Sequence, residues 1–426
     1  MSQIDLSPLR KNFPALAQKI NGNSRIFLDG AGGTQVPQGV IDAMVNYMVN
    51  DNGNYGGYFD TSIATDKMLV DVRKSVADFI NAPSWEEILI GPNMTTLTFS
   101  LVWTLARDIK RGDEVVVTRM DHGANIDSWR SLEDYGAVIK FIEINDSDCT
   151  LNYELAAKVI TPKTKIVAAG LASNATGTIN DIKKLAGLAH KVGALIFVDA
   201  VHYAPHFPID VAALDADFLA CSAYKFFGPH VGFIWGRMEH LKRINPHRPW
   251  AEYDGVPSKF VLGTPNMEGF SGAIAAVDYL AGIGREFGKK FEADFDHFSG
   301  RRLELKKGLS AIAEYEKILG ERLNAGLKKI KGLTVYGITD ENKFAWRCPT
   351  FSFFLEGHTS EELCLKMNKE HIYVWNGVEG FGALELMKHF DLVKRGGLLR
   401  VSIEHYNTVA EIDRFLEILG KIAAEK

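Results

Sequence analysis

Short β-rich apolar runs alternate with helix-length amphipathic segments through the first two thirds of this chain, and no other feature constrains its fold as strongly. The runs are Arg25–Leu28, Glu87–Ile90, Glu114–Thr118, Val138–Ile142, Lys165–Ala169, Ala194–Val198 and Phe218–Cys221. Between them lie Gln38–Asn50, Thr65–Ile80, Thr96–Lys110 and Ile182–Val192, each long enough to cross from one parallel strand to the next. Parallel neighbours cannot be joined by a tight turn, so the pattern predicts an α/β fold with a mainly parallel sheet covered by helices. After about Gly284 the character changes. A charged stretch, Lys289–Gly332, carries apolar residues at helical spacing and precedes short strands near Leu333–Tyr336 and Thr350–Leu355, the signature of a smaller α/β domain. The connection Glu404–Thr408 leads into a final helix, Val409–Lys426. No internal repeat or low-complexity linker interrupts the chain.

Composition narrows the function classes. The 426 residues suffice for about two or three domains with a core that needs no staples. Apolar residues make up 46% and charged residues 24%, which argues against collagen-like, disordered and coiled-coil chains. Lys plus Arg is 48 against 53 for Asp plus Glu, a net charge of -5 with the signs interspersed, so neither a nucleic-acid nor an anionic-membrane partner is expected. No apolar stretch approaches the roughly 18 residues of a membrane span, and Met1–Phe13 is too polar for a secretion signal. A cytoplasmic location is therefore expected. The four cysteines, Cys149, Cys221, Cys348 and Cys364, include no CxxC pair and read as separate reduced thiols.

Most motif readings fail. The glycine-rich Gly30–Gln35 segment follows a strand, but the chain holds neither GxGxxG nor GxxxxGK[ST], which leaves a dinucleotide fold or P-loop unsupported. His202 and His206 have helical spacing, yet Pro205 lies between them and no acid completes HExxH, so no metal is expected. The absence of GxSxG weakens a triad hydrolase reading. One constellation stands out. The Ala194–Val198 run ends in Asp199, and Phe218–Cys221 is followed by Ser222, Tyr224 and Lys225. Ligands of α/β sheets bind at the carboxyl ends of strands, so Asp199 and Lys225 are expected to face one crevice. They form either a plain ion pair or part of a pyridoxal phosphate site, which needs a lysine for the aldehyde and a carboxylate for the pyridinium nitrogen. Thr95 and Thr96 at a helix start offer an anion cup, and His122 and Asn174 follow two further strands.

At these residues the chain resembles the class V aminotransferase family of pyridoxal phosphate enzymes, within it the cysteine desulfurase and selenocysteine lyase branch. The likeness covers essentially the whole chain. It is carried by Phe27-Leu28-Asp29 with Gly30 and Ala31, Asp121-His122 with Ala124-Asn125, Ser173-Asn174 with Gly177-Thr178, Val198-Asp199-Ala200, Ser222 with Tyr224-Lys225, Gly263-Thr264-Pro265-Asn266, and Arg400 with Ser402. The resemblance implies fold type I, with a large cofactor-binding domain over 24–282 and a small domain from 1–23 and 283–426. It implies Lys225 as the Schiff-base lysine and proton shuttle, Asp199 as partner of the ring nitrogen, and His122 stacked on the ring. Asn174 and His202 match positions that bond the ring hydroxyl, with His202 standing where the family usually has glutamine. Thr95, Thr96 and Ser222 match phosphate ligands, and Tyr224 replaces a phosphate-binding histidine while keeping a hydroxyl donor. Thr264 corresponds to a residue that reaches the phosphate of the neighbouring subunit, which implies a homodimer. Arg400 resembles the arginine that clamps the substrate carboxylate, a task suited to its planar fork.

Departures from the family decide the expected reaction. The loop that carries the attacking cysteine in desulfurases reads Val374-Trp375-Asn376-Gly377-Val378-Glu379-Gly380 here and contains no cysteine. Cys364 lies upstream in an expected helix, Glu361–Glu370, and reads as packing. The family's loop arginine appears as Trp375 or a neighbour, and a basic residue of the N-terminal loop as Gly56 or Gly57, so Asn54–Tyr58 and Trp375 are expected to line a more aromatic, less basic pocket. Without a thiolate nucleophile, persulfide transfer ranks last. The leading expectation is carbon–sulfur cleavage of an amino acid by lyase-type β-elimination through Lys225; the alternative is an aminotransferase or amino-acid epimerase.

Overall fold

The computed structural model describes residues 4–248, 255–377 and 381–425. Apart from two hairpins of two-residue strands (Lys19–Ile20 with Asn23–Ser24, and Ile144–Asn145 with Thr150–Leu151), the strands, numbered along the chain, are β1 (Ile26–Phe27), β2 (Ile88–Gly91), β3 (Glu114–Thr118), β4 (Val138–Ile142), β5 (Thr164–Gly170), β6 (Leu195–Asp199), β7 (Phe218–Ser222), β8 (Gly232–Gly236), β9 (Leu333–Tyr336), β10 (Thr350–Leu355), β11 (Ile372–Tyr373), β12 (Trp375–Gly377) and β13 (Leu398–Ser402). β2 to β8 form a seven-stranded sheet in the order β2-β8-β7-β6-β5-β3-β4. Only β8 runs against the others. The sheet is mainly parallel, as the alternation requires, and its β3 and β7 strands are buried along their whole length.

Several strands differ from expectation: β11, β12 and β13 are not among the expected runs, β12 lying in the segment read as a loop, and β8 and β1 differ as well. β8 was not among the predicted runs, because Phe233, Ile234 and Trp235 between two glycines make too short a signal to separate a strand from a buried turn. β1 lies outside the large sheet. It pairs in parallel with β11, with Ile26 and Leu28 N–H donating to the His371 and Tyr373 carbonyls at 2.9 Å, so the start of the chain is tied to its last third. A second sheet, antiparallel, has the order β9-β10-β13-β12.

The main helices are α1 (Gln38–Asn46), α2 (Asp60–Phe79), α3 (Met94–Leu105), α4 (Ile182–Lys191), α5 (Met267–Phe287), α6 (Gly300–Leu327), α7 (Ser360–Lys369) and α8 (Val409–Ala424). Caps set several boundaries. α1 stops early and passes into a π turn over Tyr47–Asp51. α3 starts at Met94 because the Asn93 side chain accepts from Thr96 N–H. Thr408 and Glu411 close a capping box on α8, which ends at Ala424; the predicted end, Lys426, lies outside the described residues. α2 begins at Asp60, ahead of the apolar periodicity, since Phe59 is extended and Asp60 places an acid in the first turn. Among the described residues no helix is long and apolar enough to cross a membrane.

α5 was not legible in sequence because its interior glycines disfavour an isolated helix. Packing overrides that preference. A Cβ at Gly284 would lie 1.8 Å from the Glu304 carbonyl oxygen, and one at Gly308 would lie 2.3 Å from that of Leu280, so α5 and α6 touch backbone to backbone. Residues 282 and 283 fall inside α5; we propose that the division into a large domain, 24–282, and a small one, 1–23 with 283–426, runs through this shared helix. Gly284→Ala is expected to lower stability by about 1–3 kcal/mol, the usual cost of overpacking. Thermal unfolding monitored by circular dichroism checks this; an unchanged midpoint would contradict the close crossing.

Candidate active site

The carboxyl ends of the parallel strands deliver polar side chains to one crevice. β6 ends in Asp199 and β7 in Ser222, after which a short turn carries Tyr224 and Lys225. Asp121 and His122 follow β3, Asn174 follows β5, and Arg400 comes across from β13 of the second sheet. Asn93, Met94 and Thr95 at the start of α3 form one wall of the resulting cavity of about 200 Å³, where backbone N–H groups and the helix dipole favour an anion. Met94 N–H donates to Ser222 Oγ at 3.3 Å.

Burial sets the charge states. Desolvation pushes the Lys225 ammonium down to about 7, helped by repulsion from Arg400, while Glu404, Asp199 and Asp29 pull it back up. Lys225 Nζ donates to the Ala31 carbonyl. Burial pushes Asp199 up to about 6, against the Val201 N–H that donates to Oδ1 at 2.9 Å and the attraction of Lys225. Desolvation, then Lys225 and Arg400, hold His122 down at about 4, and the neutral ring accepts from Ala124 N–H through Nδ1 at 3.0 Å. His202 is likewise held well below its ordinary value by burial, with His206, Lys225 and Arg400 adding to the effect. Arg400 donates to the Asn174 carbonyl at 3.0 Å and lies 4.6 Å from the Phe381 ring centre.

The cavity brings together Thr95, His122, Asn174, Asp199, His202, Ser222, Tyr224, Lys225 and Arg400, all named from the sequence. Two predicted site residues lie outside it. Thr96 spends its N–H on the Asn93 cap at 2.7 Å and has an exposed side chain. Thr264 is exposed, away from the cavity of its own chain. Trp375 lines the crevice as expected, but Asn54–Tyr58 does not: Tyr58 is 101% exposed. That segment is held instead by local bonds, Gly56 N–H to Asp66 and Gly57 N–H to Ser62 Oγ at 2.6 Å. Of the expected loop, Val378, Glu379 and Gly380 lie outside the described residues. His202 and His206 face each other, ring centres 5.4 Å apart, on a run of turns rather than a helix.

Asp121 was given no role from sequence. It is buried, pushed up to about 7 by desolvation, and accepts from Gly170 N–H and Asn125 Nδ2, each at 2.9 Å. Its signal was present in the Asp121-His122 pair at a strand end. Phe381 was missed because nothing local marks it.

The donor set fits pyridoxal phosphate. Asn174 Oδ1, His202 Nε2 and Arg400 Nε are buried polar atoms without a partner, and all three residues line this cavity. Buried groups of this kind are normally satisfied, so their concentration at one cavity marks a place for a polar ligand. An anion cup at α3, a carboxylate at Asp199 and an amine at Lys225 match the phosphate, ring nitrogen and aldehyde of that cofactor.

Comparison with known proteins agrees. The family described as Aminotransferase class-V matches residues 26–306 and 302–415. The chain is 31% identical to a "Probable cysteine desulfurase" of Synechocystis sp., covering 96% of this chain and 94% of that one. It is 32% identical to "Aminotransferase-like protein FGM3" of Gibberella zeae over 99% of each chain. The cysteine desulfurase of Thermococcus onnurineus NA1, solved in its apo form, superposes with a TM-score of 0.84 at 27% identity over 99% of both chains.

The charge balance at Lys225 has a direct test. In cofactor-free protein, acylation of Lys225 followed against pH is expected to have its midpoint near the value of about 7 that burial imposes. Arg400→Gln removes a repelling cation and moves the midpoint up; Asp199→Asn removes an attracting anion and moves it down. A midpoint in the ordinary lysine range would contradict the account.

Proposed function

This chain belongs to the aminotransferase class-V family of pyridoxal phosphate enzymes, and on that premise we propose that it cleaves a carbon–sulfur bond of an amino acid by β-elimination, without forming a protein persulfide. The reading is carried by one observation: among the described residues no thiol lines the cavity, and Trp375 occupies the segment where a nucleophile is needed. Cys149, Cys221 and Cys348 are buried, and desolvation raises all three thiols, Cys149 and Cys221 to about 12. Cys364 is partly buried on α7, with Sγ 3.3 Å from the Val374 carbonyl and its thiol also raised by burial. Thiols held protonated in this way make poor nucleophiles.

Bound pyridoxal phosphate supplies the electron sink that stabilises negative charge at the substrate α-carbon. The chain's residues supply the rest. The fork of Arg400 binds the substrate carboxylate. Lys225, kept near neutrality by burial, takes the α-proton on Nζ. Asp199 would keep a proton on the ring nitrogen, His122 would shield the ring from water, and Asn174 and His202 would bond the ring oxygen, all four lining the one cavity. Thr95, Ser222 and Tyr224, in the same cavity, would hold the phosphate. The β-sulfur group would leave as a thiol or sulfide, taking up the proton removed from the α-carbon, and water would hydrolyse the remaining three-carbon enamine to pyruvate and ammonia.

A homodimer fits the surface. Val45, Met48, Val49, Tyr58, Phe59 and Ile63, on α1, α2 and the segment between them, are exposed apolar side chains, and exposed apolar residues gathered in one stretch of chain suit an association site. Thr264 then reaches the phosphate of the partner's site, and the working compartment is the cytoplasm. A second reading is an aminotransferase or epimerase, of which the aminotransferase is supported by the relative named aminotransferase-like.

Product analysis with cysteine separates these readings. Pyruvate with ammonia and sulfide is expected; alanine as the product, amino-group transfer to a keto acid, or inversion at the α-carbon would overturn the proposal. Lys225→Ala is expected to lower turnover by about 10²–10⁴-fold and to abolish the visible cofactor band. Arg400→Lys is expected to weaken substrate binding by about 1.5–3 kcal/mol, or roughly 10–150-fold in KM, with a smaller change in kcat.

A further inference from the structure

Phe381 and Gly382 lie between β12 and a short helix, Leu384–His389, and together they meet three of the site residues. The Phe381 carbonyl accepts from Asn174 Nδ2 at 2.7 Å, and the Arg400 guanidinium lies over its ring, 4.6 Å from the ring centre. The Gly382 carbonyl accepts at 2.6 Å from the N–H of Gly123, the residue after His122. A Cβ at Gly382 would lie 2.4 Å from His122 Nε2 and 2.8 Å from the two carbons that flank it, so the glycine backbone is laid against the imidazole edge. Gly382 has φ +65°, a left-handed conformation that glycine adopts without strain. Both flanks of the pair are anchored. The Phe381 ring rests on the end of β12, where a Cβ at Gly377 would lie 2.8 Å from its Cδ1. On the other flank Glu385 pairs at 2.9 Å with Arg119, just past β3.

The direction of each contact decides what the three residues present to a ligand. A carbonyl only accepts, so the Phe381 oxygen turns the Asn174 amide with its nitrogen outward. Asn174 Oδ1, buried and without a partner, is the end left to face the cavity. His122 is held from two sides, by Ala124 N–H on Nδ1 at 3.0 Å and by the Gly382 backbone against Nε2, which fixes the plane of its ring. Arg400 donates to the Asn174 carbonyl at 3.0 Å and stacks on the buried Phe381 ring, while its Nε has no partner. One short segment of the C-terminal third therefore sets the orientation of groups that stand after β3, after β5 and on β13, and side chains locked in this way keep a site in its working geometry before a ligand arrives.

We propose that Phe381 and Gly382 are positioning residues of this site. Gly382 sets the plane of His122, and Phe381 sets the Asn174 amide through its carbonyl and the Arg400 guanidinium through its ring. Both act through those three residues rather than on the reacting atoms. The inference rests on the roles proposed above for His122, Asn174 and Arg400, but the cofactor affinity that tests it first is measured without turnover.

A double-mutant cycle on pyridoxal phosphate affinity, titrated into cofactor-free protein and followed by visible absorption, isolates the contact between Gly382 and His122. Gly382→Ala is expected to weaken the affinity roughly 5–100-fold, as a methyl group is forced into filled space, and to shift the absorption maximum of the bound cofactor. In a His122→Ala background the imidazole edge is gone, and the same change is expected to cost less than about twofold. Equal losses in the two backgrounds, or a lowered unfolding midpoint with affinity unchanged, would overturn the role of Gly382. Phe381→Leu keeps the carbonyl and removes the ring. Its KM for cysteine is expected to rise roughly 2–10-fold with kcat and cofactor affinity little changed, and Phe381→Tyr is expected to restore it. A loss confined to kcat, or a tyrosine variant as impaired as the leucine one, would overturn the role of Phe381. The Phe381 variants decide the question if Gly382→Ala does not fold. A holoenzyme that turns over no cysteine leaves the cofactor cycle intact, so failure of the proposed reaction and failure of the positioning role are distinguishable.

Discussion

Burying a lysine without a fixed counter-ion is the constraint on which this structure turns. Lys225 is 8% exposed, and its amine meets a backbone carbonyl rather than a carboxylate. Desolvation therefore wins over attraction, and the group sits near neutrality instead of fully charged. That outcome needs a rigid scaffold, because a mobile acid would pair with the ammonium and restore its charge. The scaffold is the seven-stranded sheet, whose adjacent β6 and β7 pair Asp199 with Ala220 and carry Lys225 in the short turn just past the end of β7. The chemistry follows from the same constraint: an amine that is partly free of its proton can bond a carbonyl carbon or accept a proton, which a charged ammonium cannot do.

The second sheet supplies what the first lacks. Arg400 stands on β13 between β10 and β12, so the residue suited to holding a carboxylate comes from a different part of the chain than the amine. β1, paired with β11, ties the turn that carries the Ala31 carbonyl to that same part. Trp375 on β12 shapes the mouth of the cavity. The indole of Trp375 and the ring of Phe381 line this crevice, and among the described residues no cysteine does.

Much of this was legible in the sequence, for a local reason. Parallel strands are short continuous apolar runs, and the polar residues that end them mark the ligand edge, which is why Asp199, Asn174, His122 and Lys225 were found. Helix starts that depend on caps were recovered less well, as at α2 and α3, where polar first turns look like loop. α5 and β8 were missed because glycine-rich packing against a neighbour leaves no periodic trace. The position of Asn54–Tyr58 outside the cavity, and of Thr264 on the surface, depends on how loops lie on the folded chain. The contacts of Phe381 and Gly382 with His122, Asn174 and Arg400 join distant segments, so no spacing announces them.

The central claim is that sulfur leaves the substrate without passing through the protein. Mass spectrometry of the intact chain, quenched during steady turnover of cysteine under non-reducing conditions, tests that claim most directly. The account predicts a chain of unmodified mass throughout turnover. A sulfur atom added to Cys149, Cys221, Cys348 or Cys364, appearing with substrate and discharged by a thiol acceptor, would contradict it.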